Sequence, residues 1–276
     1  MPASGSDAPN VRDELARIRA EVESGNADLK ALGFWKLVGR VKRDRALIQE
    51  FADEIGAIDR LAFERRFRFR PPVWLGNLVL VLGKLAMVAL FFVAMDLADP
   101  FSDFWRITVP SSTGEVIAFE ATISPWVGWL LLAVAGGLSV VVHDLAHWAV
   151  GRLGGIRFTS YFLDGPFRIQ PGIKTDYATY LRATPMARAW MHAAGAVASK
   201  LAPFVVLLGI YVKGGSSFAL VPAWTKWAIL ALGIGQILTD VIWSTKKSDW
   251  KKFARERRLA RDLYSNGTPG SSGQPG

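Results

Sequence analysis

The chain contains three histidines, and two of them fall in the segment His143-Asp144-Leu145-Ala146-His147. On a helix, a spacing of four residues puts both imidazoles on one face, one turn apart, which is how a helix offers two nitrogens to one metal ion. The surrounding stretch, residues 126–150, is apolar and holds no basic residue. Inside a bilayer a polar side chain is expensive unless it has a partner or a function, so the pair marks a candidate site. The third histidine, His192, and a carboxylate, Asp240, lie in two later apolar stretches and are candidates for the same chemistry.

Four apolar stretches must position these groups: residues 73–98, 126–152, 187–212 and 218–243. Each exceeds the roughly 20 residues that a bilayer-crossing helix needs. The fold expected is an all-α polytopic membrane protein, with four transmembrane helices, a small β-hairpin loop and cytosolic amphipathic helices. Loop charge sets its orientation, because short cytoplasmic segments carry the Lys/Arg excess. Residues 1–72 include Arg65, Arg66, Arg68 and Arg70, the loop 153–186 includes Arg157, Arg168, Lys174 and Arg182, and residues 244–264 include Lys246, Lys247, Lys251, Lys252, Arg255, Arg257 and Arg258. The loop at 99–125 has only Arg106. Both termini are therefore expected in the cytoplasm, with 99–125 outside and a short extracytoplasmic loop at 213–217. The net charge of +9 then follows from topology and from attraction to anionic lipid, with no need for a nucleic-acid partner.

Depth tests whether the polar groups can meet. Counting about 1.5 Å per residue from the basic flanks, His143 lies about 13 Å deep, His147 about 7 Å, Asp240 about 9 Å and His192 about 6 Å. Stretches running in opposite directions thus bring their polar groups to one layer. Lys84 and Lys200 fall nearer mid-bilayer and are expected to snorkel or pair.

Outside the bilayer, residues 11–22 and 29–58 show apolar side chains at helical spacing, separated by Gly25-Asn26, and are expected as two amphipathic helices for a membrane surface or a partner. The loop 153–186 has β-rich pieces near 157–162 and 177–181, with turn signals at Asp164-Gly165 and Pro171-Gly172. Residues 1–10 and 265–276 are Gly/Ser/Pro-rich and expected to be disordered. The chain has no cysteine, which excludes a disulfide scaffold and thiolate chemistry.

Over residues 125–245 the sequence resembles the site-2 protease family of intramembrane zinc metalloproteases. His143 and His147 match the two histidines of the family's His-Glu-x-x-His, Asp240 in Leu238-Thr239-Asp240 matches its later metal-binding aspartate, and the segment from Ala194 to Ser199 occupies the place of its glycine motif. The resemblance implies Zn2+ held by His143, His147 and Asp240, with Asp144 as general base. It also implies an oxyanion donor near Gly195 to Ser199 or at His192, and cleavage of a transmembrane protein substrate near its cytosolic end. Asp144 stands where the family carries glutamate and is shorter by one methylene, about 1.5 Å, so reach decides its competence as a base. The alternative is a catalytically inactive, protease-like membrane adaptor that retains the fold, with or without the metal. A transporter is disfavoured because duplicated broken helices are missing.

Overall fold

The computed structural model describes residues 7–98, 125–164, 170–214, 221–242 and 248–265. All but the last residue of the expected loop at 99–125, most of that at 213–217, the turn residue Gly165 and most of the two Gly/Ser/Pro-rich ends lie outside them. In order the elements are α1 (Asp7–Glu23), α2 (Phe34–Val41), α3 (Arg45–Arg66), α4 (Val73–Ala98), α5 (Pro125–Leu153), β1 (Phe158–Asp164), β2 (Gln170–Thr175), α6 (Tyr177–Arg182), α7 (Pro185–Gly214), α8 (Ala223–Ile242) and α9 (Asp249–Ser265). Among the described residues the protein is mostly helical with one small antiparallel sheet. It divides into two units, one of Met1–Asn77, Ala146–Ala194 and Asp249–Gly276, the other of Leu78–Leu145 and Gly195–Ser248.

The first unit has a core of its own. Val11, Leu15, Ile18 and Val22 repeat at helical spacing along α1 and are at most 1% exposed, packed with Phe34, Leu37, Val38 and Val41 of α2 and Phe51, Ile55 and Ile58 of α3. Each such burial is worth about 1.5–3 kcal/mol, enough to hold three short helices together. The apolar faces expected to meet a membrane or a partner are therefore turned on one another. The single helix expected over 29–58 is also two: α2 ends at Val41, and Asp44 starts α3 by accepting from the backbone N–H of Ala46 and Leu47 at 2.8 and 3.3 Å. A short side chain that satisfies orphan N–H groups starts a new helix more cheaply than it continues an old one. The expected break at Gly25 is present, with φ at 117°.

β1 pairs antiparallel with β2, from Phe158 opposite Thr175 to Asp164 opposite Gln170, with a bulge between Phe158 and Ser160. Two expectations for this loop fail. Residues 177–181 form helix α6, because the Asp176 carboxylate accepts from the Ala178 N–H at 3.2 Å and caps a helical turn. Pro171-Gly172 lies inside β2, where the Phe162 ring covers Gly172 so closely that a Cβ there would stand 2.8 Å from a ring carbon. On the other side of β1, the Tyr161 N–H donates to the Pro71 carbonyl at 2.9 Å and the Tyr161 hydroxyl to Asn77 at 2.8 Å, which joins the hairpin to the first turn of α4.

The second unit is built from apolar helix. Ala94, Met95 and Ala98 of α4 pack with Leu131, Val134 and Ala135 of α5, Val206 and Ile210 of α7, and Ile229 of α8. Close approach uses small residues: a Cβ at Gly137 would meet the Met87 sulfur at 2.6 Å, and one at Gly209 would meet the Phe91 ring at 2.9 Å. Outward-facing Val79, Leu82, Leu85, Leu201, Val205 and Leu208 are more than half exposed. Val73–Ala98, Trp126–Leu153 and Pro185–Gly214 are each long and apolar enough to cross a membrane. The fourth expected stretch contains α8, which is 20 residues long.

Candidate metal centre

Helix α5 is unbroken through the His143–His147 turn, and the boundary between the two units falls within it, after Leu145. His143 is thus placed by four residues of continuous helix. His147 is 8% exposed, and its Nδ1 lies 2.6 Å from the Met191 backbone carbonyl on α7. A carbonyl only accepts, so Nδ1 carries a proton and Nε2 faces outward.

Nε2 points at a carboxylate. Asp249, the first residue of α9, places Oδ2 3.2 Å from His147 Nε2. Its Oδ1 accepts from Lys252 Nζ at 2.9 Å and lies 4.0 Å from His192 Nδ1. Burial would raise the Asp249 carboxyl, but the hydrogen bond and charge of His147 and the charge and hydrogen bond of Lys252 outweigh it and hold the group well below the usual carboxylate range. With no proton on Nε2, that nitrogen and the carboxylate would face each other as two acceptors. Either a proton on Nε2 or a cation between the two resolves that conflict.

The donor set fits a cation. One nitrogen of each of His143 and His147 and one oxygen of Asp249 all lie within 4.8 Å of one another. Ligands at the 2.0–2.2 Å bond lengths of a tetrahedral zinc stand about 3.3–3.6 Å apart, so the 3.2 Å between His147 and Asp249 is already near that edge. Side-chain rotation of roughly 1 Å closes the remainder, and the His147–Met191 contact is the outer hydrogen bond that commonly fixes a ligating imidazole. Two imidazoles and a carboxylate suit zinc among divalent ions without singling it out.

No protein-family model, curated protein or solved structure matches this chain.

Behind the ligands lies a buried polar layer. The Tyr180 hydroxyl is 3.0 Å from His192 Nε2 and donates to Glu256 Oε1 at 3.1 Å. One hydroxyl has one proton, so with that proton on Glu256 the His192 Nε2–H must be the donor to Tyr180. Glu256 accepts from Lys42 Nζ and from Arg188 Nε, both at 2.7 Å, and Arg188 Nη1 donates to the carbonyls of Leu181 and Ala183 at 2.9 and 3.1 Å. Arg188 and Glu256 are each 1% exposed. Burial pulls Lys42 down to about 8 despite Glu256. For Glu256 the order reverses, since burial is outweighed by Lys42 and Arg188 and the carboxyl stays below its ordinary value.

Of the residues singled out from the sequence, the structure brings His143 and His147 together and adds His192 beside Asp249. Asp144 is buried on α5, next to His143. Ser199 turns its hydroxyl back to the Ala196 carbonyl of its own helix, at 3.2 Å, and Lys200 donates to the same carbonyl at 3.3 Å. Asp240 belongs to α8, but its side chain lies outside the described residues. Sequence reasoning missed Asp249, Tyr180, Arg188, Glu256 and Lys42. One signal was present: Asp249 and Glu256 sit seven residues apart, on one helix face, within a segment otherwise crowded with Lys and Arg.

Proposed function

We propose that this chain is an integral membrane metallohydrolase of the site-2 protease type, cleaving membrane-spanning proteins near the cytosolic face. The single observation that carries the proposal is the convergence of His143, His147 and Asp249 within one ligand sphere at the end of an apolar helix. In this reading α8 is the fourth span, both termini are cytoplasmic and the metal is zinc. His143 and His147 hold it together with a carboxylate, Asp249 or the Asp240 suggested by the resemblance. Bound there, the ion supplies Lewis acidity, polarising a carbonyl and making water more acidic. The chain's own residues do the rest. The Met191 carbonyl accepts the hydrogen bond of His147 Nδ1 and so orients the ring, Lys252 donates to Asp249 and orients the carboxylate, and the buried Asp144 is the group that takes and returns a proton.

The adaptor alternative is favoured by one feature, the short Asp144 in place of glutamate. Cleavage of a transmembrane peptide by the detergent-purified full chain separates the two. Protease function predicts zinc-dependent cleavage, abolished in His147→Ala and raised in Asp144→Glu. A chain that binds zinc yet cleaves nothing, with or without glutamate at 144, is an adaptor.

A further inference from the structure

Helix α9 carries two inward carboxylates. Asp249 meets His147, and Glu256 lies seven residues later, so about 10 Å further along and within about 20° of the same face. Among the described residues of α9 only Glu256 and Ala260 are buried. The apolar attachment of this helix is slight, limited to that alanine and to partly buried groups such as Phe253, whose ring lies 5.7 Å from the half-exposed Trp190. What seats the helix is the Glu256 carboxylate, gripped by Lys42 at the end of α2 and Arg188 from α7 and hydrogen-bonded by Tyr180 from α6.

We infer that the Lys42–Glu256–Arg188 clamp positions Asp249, so that the N-terminal helical bundle sets the metal affinity of the site through α9. This rests on the metal-site reading above. Lys42 directly follows the last residue of α2, whose Phe34, Leu37, Val38 and Val41 are held in the bundle core, so the ammonium reports the seating of the bundle. Arg188 makes a different link: its Nε binds the other Glu256 oxygen and its Nη1 donates to the carbonyls that end α6, so it ties α9 to α7 and α6 and leaves the tie to α2 with Lys42. Without Lys42, Glu256 keeps one cation and one hydroxyl, and α9 loses its only tie to α2 through this carboxylate. A helix held by so little apolar surface then samples seatings in which Asp249 stands away from His147. Lys42, Tyr180 and Glu256 are positioning residues in this scheme, acting on the metal only through α9.

Linkage makes the effect reciprocal, because whatever tightens metal binding must itself be tightened by metal. The test therefore uses Co2+ titration, read by its absorption, on the full chain in detergent. It adds backbone hydrogen exchange of α2 with and without Co2+. Lys42→Met, checked as folded by circular dichroism, should bind Co2+ about tenfold more weakly, the range typical of outer groups around a metal. In the unaltered chain Co2+ should slow exchange in α2, a response that His143→Ala should lack. Should Lys42→Met not fold, the exchange experiment on the unaltered chain decides alone. If the unaltered chain binds Co2+ while Lys42→Met binds equally well, or exchange in α2 ignores the metal, the clamp is only structural and the inference fails with the site intact. If the unaltered chain binds no Co2+, the metal-site reading fails and the inference falls with it.

Discussion

Replacing Asp249 by asparagine keeps the side chain's shape and removes its charge, which tests whether this carboxylate is a metal ligand. In the absence of metal the change removes a charged acceptor from His147 and Lys252, a loss of about 1.5–3 kcal/mol for a hydrogen bond of this kind. The decisive quantity is the further stabilisation on adding zinc. At a free concentration one hundred times the dissociation constant, ligand binding stabilises the unaltered fold by about 2.7 kcal/mol. If losing the anionic ligand raises that constant about a hundredfold, the same zinc concentration stabilises the variant by only about 0.4 kcal/mol. For a folded unit of this size the gain in melting temperature should shrink from about 5–11 °C to about 1–2 °C. Tryptophan fluorescence during thermal unfolding in detergent, with and without zinc, measures both values, and Asp240→Asn runs alongside. An equal zinc-induced shift in Asp249→Asn and the unaltered chain refutes Asp249 as a ligand. Loss of the shift in Asp240→Asn alone would move the third ligand to α8.

Two further predictions concern the unit that frames the site. Gly56→Ala would set a methyl carbon 2.9 Å from Ala178 Cβ and 3.0 Å from its backbone nitrogen, and should destabilise the α3–α6 contact by about 1–3 kcal/mol. Gly39→Ala on α2, where a Cβ meets nothing within 4 Å, is the control and should be neutral or stabilising by up to about 1 kcal/mol in chemical denaturation. The second prediction is a pH dependence. Burial lowers Lys42 from 10.5 to about 8, so between those values the unfolded chain binds the proton and the folded chain does not. Stability should then rise with pH above 8, by about 1–3 kcal/mol before the buried Tyr177 and Tyr180, both pushed up by burial, begin to oppose it near pH 10. Chemical denaturation of the unaltered chain and Lys42→Met from pH 7 to 9.5 should show this rise only in the former.

The histidine pair was legible because both ligands lie on one helix, where chemistry follows directly from spacing. Asp249 was not, since it reaches His147 across 102 residues of chain and its environment of lysines and arginines reads as a cytosolic flank. The helical faces of α1 to α3 were legible as amphipathic, but what they face is a tertiary fact: Val11, Leu15 and Ile18 would look the same against lipid as against Phe34 and Ile55. The β assignment of residues 177–181 followed the tyrosines and missed Asp176, one capping carboxylate with more authority over the local backbone than the propensities that follow it. Three of the four apolar stretches coincide with long apolar helices, as expected of a signal carried by composition over many residues.

The hydrogen bond that sets the tautomer of His147 is accepted by a main-chain oxygen, that of Met191. Every residue type at position 191 carries the same oxygen, so the proton on His147 is held by the path of α7 and is indifferent to the letter written there. A mutational scan would find residue 191 tolerant to whatever its buried volume accepts, and would pass over the contact that prepares the imidazole. The part of this site most resistant to sequence drift is thus one that sequence comparison has no means of registering.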